Sequence, residues 1–228
     1  MTAIGSLNER PLHAALKDWY RRPGDLVEVP VDGFVVDLVR DDLLVEVQTR
    51  GFSAMRRKLD RLLDSHRIRV VHPVAAAKWI VKLDASGAVV SRRRSPKRGV
   101  AADVCSELVA FPSLLSHPGF ELELVLVEED EIWRPDRRGW RRSGFVVEER
   151  QLVEVLGSVE LTCPNDLLAL LPAGLPDPFT TADLAVGLAR SRHAAQKVAY
   201  CLRESGAVAV AGRDRRGILY RSPARASG

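Results

Sequence analysis

The sequence predicts an α/β protein: a core of helix, three strands, helix and strand, followed by a smaller C-terminal domain of helices and a β-hairpin. Three observations carry this expectation. Residues 8–83 alternate between apolar residues at helical spacing and apolar runs of strand character. The stretch "LPAGLPDP" at 171–178 carries three prolines and reads as a linker. The charge is unevenly spread, +4 overall but with nine Lys/Arg against three Asp/Glu from Phe179 to Gly228. A basic terminal segment on a near-neutral body suits a polyanionic partner, or else a solvated surface rich in arginine.

Composition narrows the class. At 228 residues the chain can bury the core of one large domain or two small ones. An apolar share of 46% and a charged share of 28% are those of a soluble globular protein. No apolar run approaches the roughly 18 to 20 residues of a membrane span, so no membrane partner is expected. The start "MTAIGSLNERPLHAAL" lacks the basic and apolar regions of a signal peptide. Cys105, Cys163 and Cys201 are far apart and form no CxxC pair, which argues against a zinc ribbon or disulfide scaffold and for a cytoplasmic location.

Taken in order, "NERPLHAALKDWYR" (8–21) predicts a helix with Asn8 as cap, Pro11 in its first turn and Leu12, Leu16 and Trp19 or Tyr20 as its stripe. Pro23 and Gly24 end it. The pieces "LVEVPV", "GFVVDLVR" and "LLVEVQT" predict three strands, the last two joined by a tight turn at Asp41-Asp42. Residues 53–65 predict an amphipathic helix with Met55, Leu59, Leu62 and Leu63 facing one way and Arg56, Arg57, Lys58 and Arg61 lying largely elsewhere. "IRVV" and "KWIVKLD" predict two further strands across a short link. Residues 88–157 are taken as an extension of this domain. It holds the basic stretch "RRRSPKRG" (92–99), a helix near 101–110, the strand "ELELVLVEE", and "RPDRRGWRR" (134–142) as a hairpin tip or loop. The expected domains are residues 1–157 and 158–228.

In the second domain "LLALL" (167–171) predicts a first helix. Thr181 caps a short helix ending near Ala189, and Ser191 caps another running to Ser205 and stopped by Gly206. "VAVAG" and "GILYR" flank "RDRR" as a hairpin. Two helices across a tight turn followed by a basic hairpin look like a winged helix-turn-helix.

The chemistry centres on "LLVEVQTR" (43–50). Alternation along a strand puts Glu46 and Gln48 on one face, and the turn at 41–42 brings Asp37 near Glu46. Two carboxylates that close repel and raise one pKa unless a cation sits between them, and oxygen-only ligands suit Mg²⁺ or Mn²⁺. The alternative is an ion pair from Glu46 to Arg50 or Arg56. Glu9 can complement the dipole of the first helix or complete a capping box with Ser6. The five histidines show no metal-ligand spacing and read as ordinary core or surface residues. Glu28 and Asp32 are further nearby acids, the latter in a turn.

On "GFVVDLVR…LLVEVQTR", and on the element order of residues 8–83, the sequence resembles the PD-(D/E)xK, or restriction-endonuclease-like, nuclease superfamily. Within it, the likeness is nearest to the archaeal-type Holliday junction resolvases. The resemblance covers about a third of the chain. It implies that Asp37, Glu46 and the Val47 carbonyl hold a metal, and that Glu9 is an additional catalytic acid. It also implies a lysine where this chain has Gln48. An amide carries no charge and is no general base, but it can orient a water.

The expected function is a Mg²⁺- or Mn²⁺-dependent DNA endonuclease. Arg192, His193, Gln196, Lys197 and Tyr200 on the second helix and Arg213, Arg215 and Arg216 on the wing would bind DNA. The alternative is a catalytically inactive DNA-binding or regulatory protein on the same fold, and a third reading makes the winged helix a protein-interaction module. Two-fold substrates would suit a homodimer.

Overall fold

A computed structural model of the chain describes residues 10–136 and 144–223. Helix α1 (Pro11–Tyr20) begins at a proline and buries Leu12, Leu16 and Tyr20, each four residues from the last, on one face. Its described N-cap residue is Arg10; the expected cap, Asn8, lies outside the described residues. Strands β1 (Leu26–Val31), β2 (Phe34–Arg40) and β3 (Leu43–Val47) form an antiparallel meander. Its two tight turns are possible because Asp32, Gly33 and Asp41 take positive φ, which aspartate and glycine tolerate best.

From β3 the chain crosses through a 3₁₀ turn (Phe52–Met55) and α2 (Arg56–Leu62) to β4 (Arg67–Leu83), which runs parallel to β3. The two strands expected within residues 68–84 are therefore one. The intervening Pro73 costs no ladder bond. Val71 and Ala75 turn their carbonyls to the β3 side, toward Gln48 and Gly99, so residue 73 faces the gap between them, where β3 has ended. Strand β5 (Val89–Arg94) folds back on the far half of β4, and residues 95–99 continue along that edge. Gly99 is required there, since a Cβ would stand 2.8 Å from the Ala75 carbonyl.

After α3 (Cys105–Leu108), strand β6 (Phe120–Pro135) runs parallel to β4, and β7 (Phe145–Leu161) returns antiparallel to β6. Within the Arg-rich stretch between them, residues 137–143 lie outside the described residues. The result is a seven-stranded mixed sheet ordered β1-β2-β3-β4-β6-β7, with β5 on β4. One face, with Leu38, Val45, Val47, Val71, Val125 and Val127, is covered by α1. The other, with Val36, Leu44, Val70, Leu122 and Leu124, is covered by α2, α3 and the C-terminal helices.

The C-terminal part contains a 3₁₀ turn (Pro164–Leu170), α4 (Thr181–Gly187), α5 (Arg192–Glu204) and the hairpin β8 (Ala209–Asp214)–β9 (Gly217–Arg221). The expected first helix at 167–171 is only that 3₁₀ turn. Thr180, not Thr181, caps α4 through a reciprocal pair with Asp183, whereas Ser191 caps α5 as its position predicts. Phe179 and Tyr220 bridge the start of this part to β9. Its core is continuous with that of the body: Ala195, Val198, Cys201 and Leu202 of α5 share one buried cluster with Cys105, Leu108 and Phe120. The expected boundary at 157/158 falls inside β7, which runs on to Leu161.

Candidate active site

The ladder between β2 and β3 ends at Leu38–Val45. One step further Asp37 replaces it. Its Oδ2 accepts the Val47 N–H at 2.8 Å, so the strands part around a carboxylate rather than continuing to pair. An extended residue turns its N–H and C=O to the same side, so the Val47 carbonyl also points toward Asp37.

Each acid has a cationic or ionisable partner, from a different helix. His13 on α1 places Nε2 3.2 Å from Asp37 Oδ2. Lys58 on α2 donates to Glu46 Oε1 and to the Val35 carbonyl. Glu46 is only 8% exposed. Burial, and then the charge of Asp37, push its pKa up to about 7 against the pull of Lys58. Asp37 moves the other way. Burial would raise it, but the His13 hydrogen bond and charge, the Val47 N–H and Lys58 together hold it below the usual aspartate range. Two neighbouring carboxylates with pKa values driven apart are a recurring arrangement in sites that handle protons or cations.

Gln48 departs from its expected place. Strand β3 stops at Val47, the Gln48 N–H still pairs with the Val71 carbonyl, and the chain then reverses through Gly51 in the left-handed region. The Gln48 amide folds back onto the Arg50 and Gly51 carbonyls of that turn instead of joining Glu46. His72, buried and with its pKa lowered by that burial, sits 2.7 Å from the Gln48 carbonyl and fixes the same turn.

Two residues at the site were not singled out from sequence. His13 was read as ordinary, yet it faces Asp37. Glu46 pairs with neither Arg50 nor Arg56 but with Lys58. The signal for Lys58 was its spacing: three residues after Met55 and four before Leu62, it shares a face with both buried residues. Of the other acids, Glu28 pairs with Lys17 at 2.9 Å and Asp32 with His66 at 3.0 Å, and Glu9 lies outside the described residues. Among the described residues no group of three or more His, Cys, Asp or Glu side chains is placed to hold a metal ion.

In the C-terminal part Arg192, His193, Gln196 and Tyr200 line the exposed face of α5, and Lys197 is half-buried at its flank. Arg213, Arg215 and Arg216 are exposed at the tip of the β8–β9 hairpin. Arg216 is held by Asp183 at 3.2 Å and Asp214 at 3.4 Å.

The chain belongs to a family described as a domain of unknown function (DUF8091), which it matches over residues 10–162, from the start of α1 to the end of β7. An uncharacterized protein of Treponema pallidum (strain Nichols) is 34% identical over 186 residues, which cover 80% of this chain and 73% of that protein. No solved structure matches the chain. No helix among the described residues is long and apolar enough to cross a membrane.

Proposed function

We propose that this member of the DUF8091 family is a Mg²⁺- or Mn²⁺-dependent nuclease of the PD-(D/E)xK type, with a winged-helix module at its C-terminus that binds DNA. The observation that carries the reading is the parting of β2 and β3 around Asp37, next to Glu46, with Lys58 reaching Glu46 from α2. The donor set fits a hard divalent cation: two carboxylates, one of them destabilised as an anion by burial and by its neighbour, and the Val47 carbonyl. Such a cation would be held by Asp37, Glu46 and Val47 and would supply charge stabilisation at the phosphorus. Its binding would compete with the present Lys58–Glu46 contact and free the ammonium.

The freed Lys58 is the charged donor that position 48 lacks. Anchored by the Val35 carbonyl, it stays beside the pair and stabilises charge developing on a phosphoryl oxygen. His13 orients Asp37 and keeps it ionised. In the C-terminal module the Phe179–Tyr220 bridge, α4, α5 and the β8–β9 hairpin follow winged-helix order, with the exposed side of α5 as the reading face.

A specific observation favours a second reading, a DNA-binding protein without catalysis: both carboxylates already have partners, and Gln48 is spent on its own turn. Mn²⁺ titration separates the two, together with cleavage assays on duplex, branched and single-stranded DNA. Stoichiometric Mn²⁺ binding with cleavage supports the nuclease. DNA binding with neither leaves the second reading.

A further inference from the structure

Just past Gln48, arginines from three different elements meet around the turn that leaves β3. Arg50 lies in the turn that leaves β3 and is exposed. Arg150 reaches from β7 across β6 and β4, and its Nη2 donates to the Thr49 carbonyl at 2.9 Å. Arg10 is the exposed N-cap residue of α1, one turn before the His13 that faces Asp37. Burial, and then the charges of Arg150 and Arg10, hold the Arg50 guanidinium below its usual pKa range, with Glu129 and Glu131 pulling the other way.

The carboxylates nearby offset this only in part. Glu129 is fully buried, 3.6 Å from Arg150 and 3.1 Å from Lys78, and Lys78 is also shared with Glu131 at 2.8 Å. Arg150 and Lys78 thus share Glu129 and Glu131, and Arg10 and Arg50 are the exposed arginines of the set.

We propose that Arg10, Arg50 and Arg150 form a seat for a phosphate of a nucleic-acid backbone, next to the phosphate that would be placed at Asp37 and Glu46. This rests on the phosphodiester reading and says where the strand is gripped. Guanidinium groups match phosphate oxygens two at a time, and a seated anion relieves their mutual repulsion. The exposure of Arg10 and Arg50 leaves the seat open to a continuing chain, whereas a small ligand is usually held in a concave pocket.

The test uses the full chain in EDTA, so that no metal or cleavage contributes, and follows the anisotropy of a labelled DNA duplex against salt. Arg50→Gln is expected to weaken binding about fivefold to tenfold at low salt and to lower the slope of log K against log salt by about one. Arg50→Lys should restore the slope but only part of the affinity. Asp37→Asn should bind DNA at least as well as wild type. Unchanged affinity and slope in the Arg10→Gln/Arg50→Gln double variant overturn the seat while leaving the nuclease reading intact. If wild type binds no DNA but pyrophosphate shifts arginine side-chain NMR signals in an Arg50-dependent way, the anion seat stands and the nucleic-acid reading falls. Silence in both experiments removes both.

Discussion

The end of β3 and the exposed face of the C-terminal part hold charge in opposite ways. At β3 the carboxylates and their partners are buried or half-buried and committed: Asp37 to His13 and the Val47 N–H, Glu46 to Lys58, Arg150 to Thr49 and Glu129. Along α5 and the β8–β9 tip the arginines stand in solvent, and Arg216 alone among the three tip arginines pairs with described carboxylates. Exposed charge costs little to keep. Burying two carboxylates together is costly, and here each is supported by a partner from a different helix. Under the proposed function the first region would carry the chemistry, and the second would add attraction for the polyanion.

The most severe way to break that assignment is to remove the acids. Asp37→Ala and Glu46→Ala are each expected to abolish Mn²⁺ binding and to lower cleavage by about a thousandfold or more, with the fold retained. Calorimetric titration and a plasmid assay check this, and wild-type metal affinity in either variant removes the assignment. Lys58→Met comes next. Cleavage should fall about a hundredfold while Mn²⁺ affinity holds or rises, because the competitor for Glu46 is gone. A Lys58 that is only a counter-ion would instead leave cleavage unchanged.

Stability against pH sharpens the same contrast. Glu46 has a folded-state pKa near 7 against an ordinary 4.5, so the folded state binds the proton more tightly than the unfolded chain. Stability contributed by this group therefore falls as pH rises from about 4.5 to about 7, by up to about 3 kcal/mol. Asp37, held low, contributes stability that is present at neutral pH and lost as pH falls through its folded value. Glu46→Gln should melt higher than wild type near about pH 8, with the gap closing toward about pH 5. A gap independent of pH would show that Glu46 is not the strained member of the pair. In the C-terminal region Arg215→Ala should weaken DNA binding about threefold, and Arg216→Ala less, since Asp183 and Asp214 already neutralise it.

What was legible in the sequence follows the range of the signals. The meander, α1 and the cap of α5 are local: turn aspartates, a four-residue apolar step and a serine before a helix are readable within a few residues. Strand β7 was not legible. Register shifts opposite Leu126–Val127, Glu128–Glu129 and Ile132–Trp133 break its period of two, and most of its side chains face solvent. The continuity of β4 was hidden by Pro73, which looks like a break unless the end of β3 is known. Asp37 and Glu46 were found because a tight turn fixes which residues meet across it. Lys58, His13 and Arg150 come from elements distant in sequence, and only the packing of α1 and α2 on opposite faces, with β7 alongside, brings them to the site.

The smallest expected effect belongs to Gln48, and it tests whether position 48 has any part in the chemistry. In Gln48→Ala the turn at 49–51 loses its amide contacts to the Arg50 and Gly51 carbonyls, a loss of about 1 kcal/mol, while the Gln48 N–H and carbonyl keep their bonds to Val71 and His72. Gln48→Lys places a second ammonium within reach of the same two carbonyls, which accept from it as they do from the amide. Since Lys58 already stands on Glu46, the new charge supplies nothing the site lacks, and cleavage should stay within about threefold of wild type. Combining the two changes is more telling. In Lys58→Met/Gln48→Lys a lysine is placed at the position that carries it in the nuclease superfamily the sequence resembles. Recovery of even a tenth of wild-type cleavage would mean that the turn can open to let residue 48 face the acids. No recovery, with Mn²⁺ binding intact, would mean that the β3 terminus is locked by Gly51 and His72 and that the catalytic charge comes only from α2.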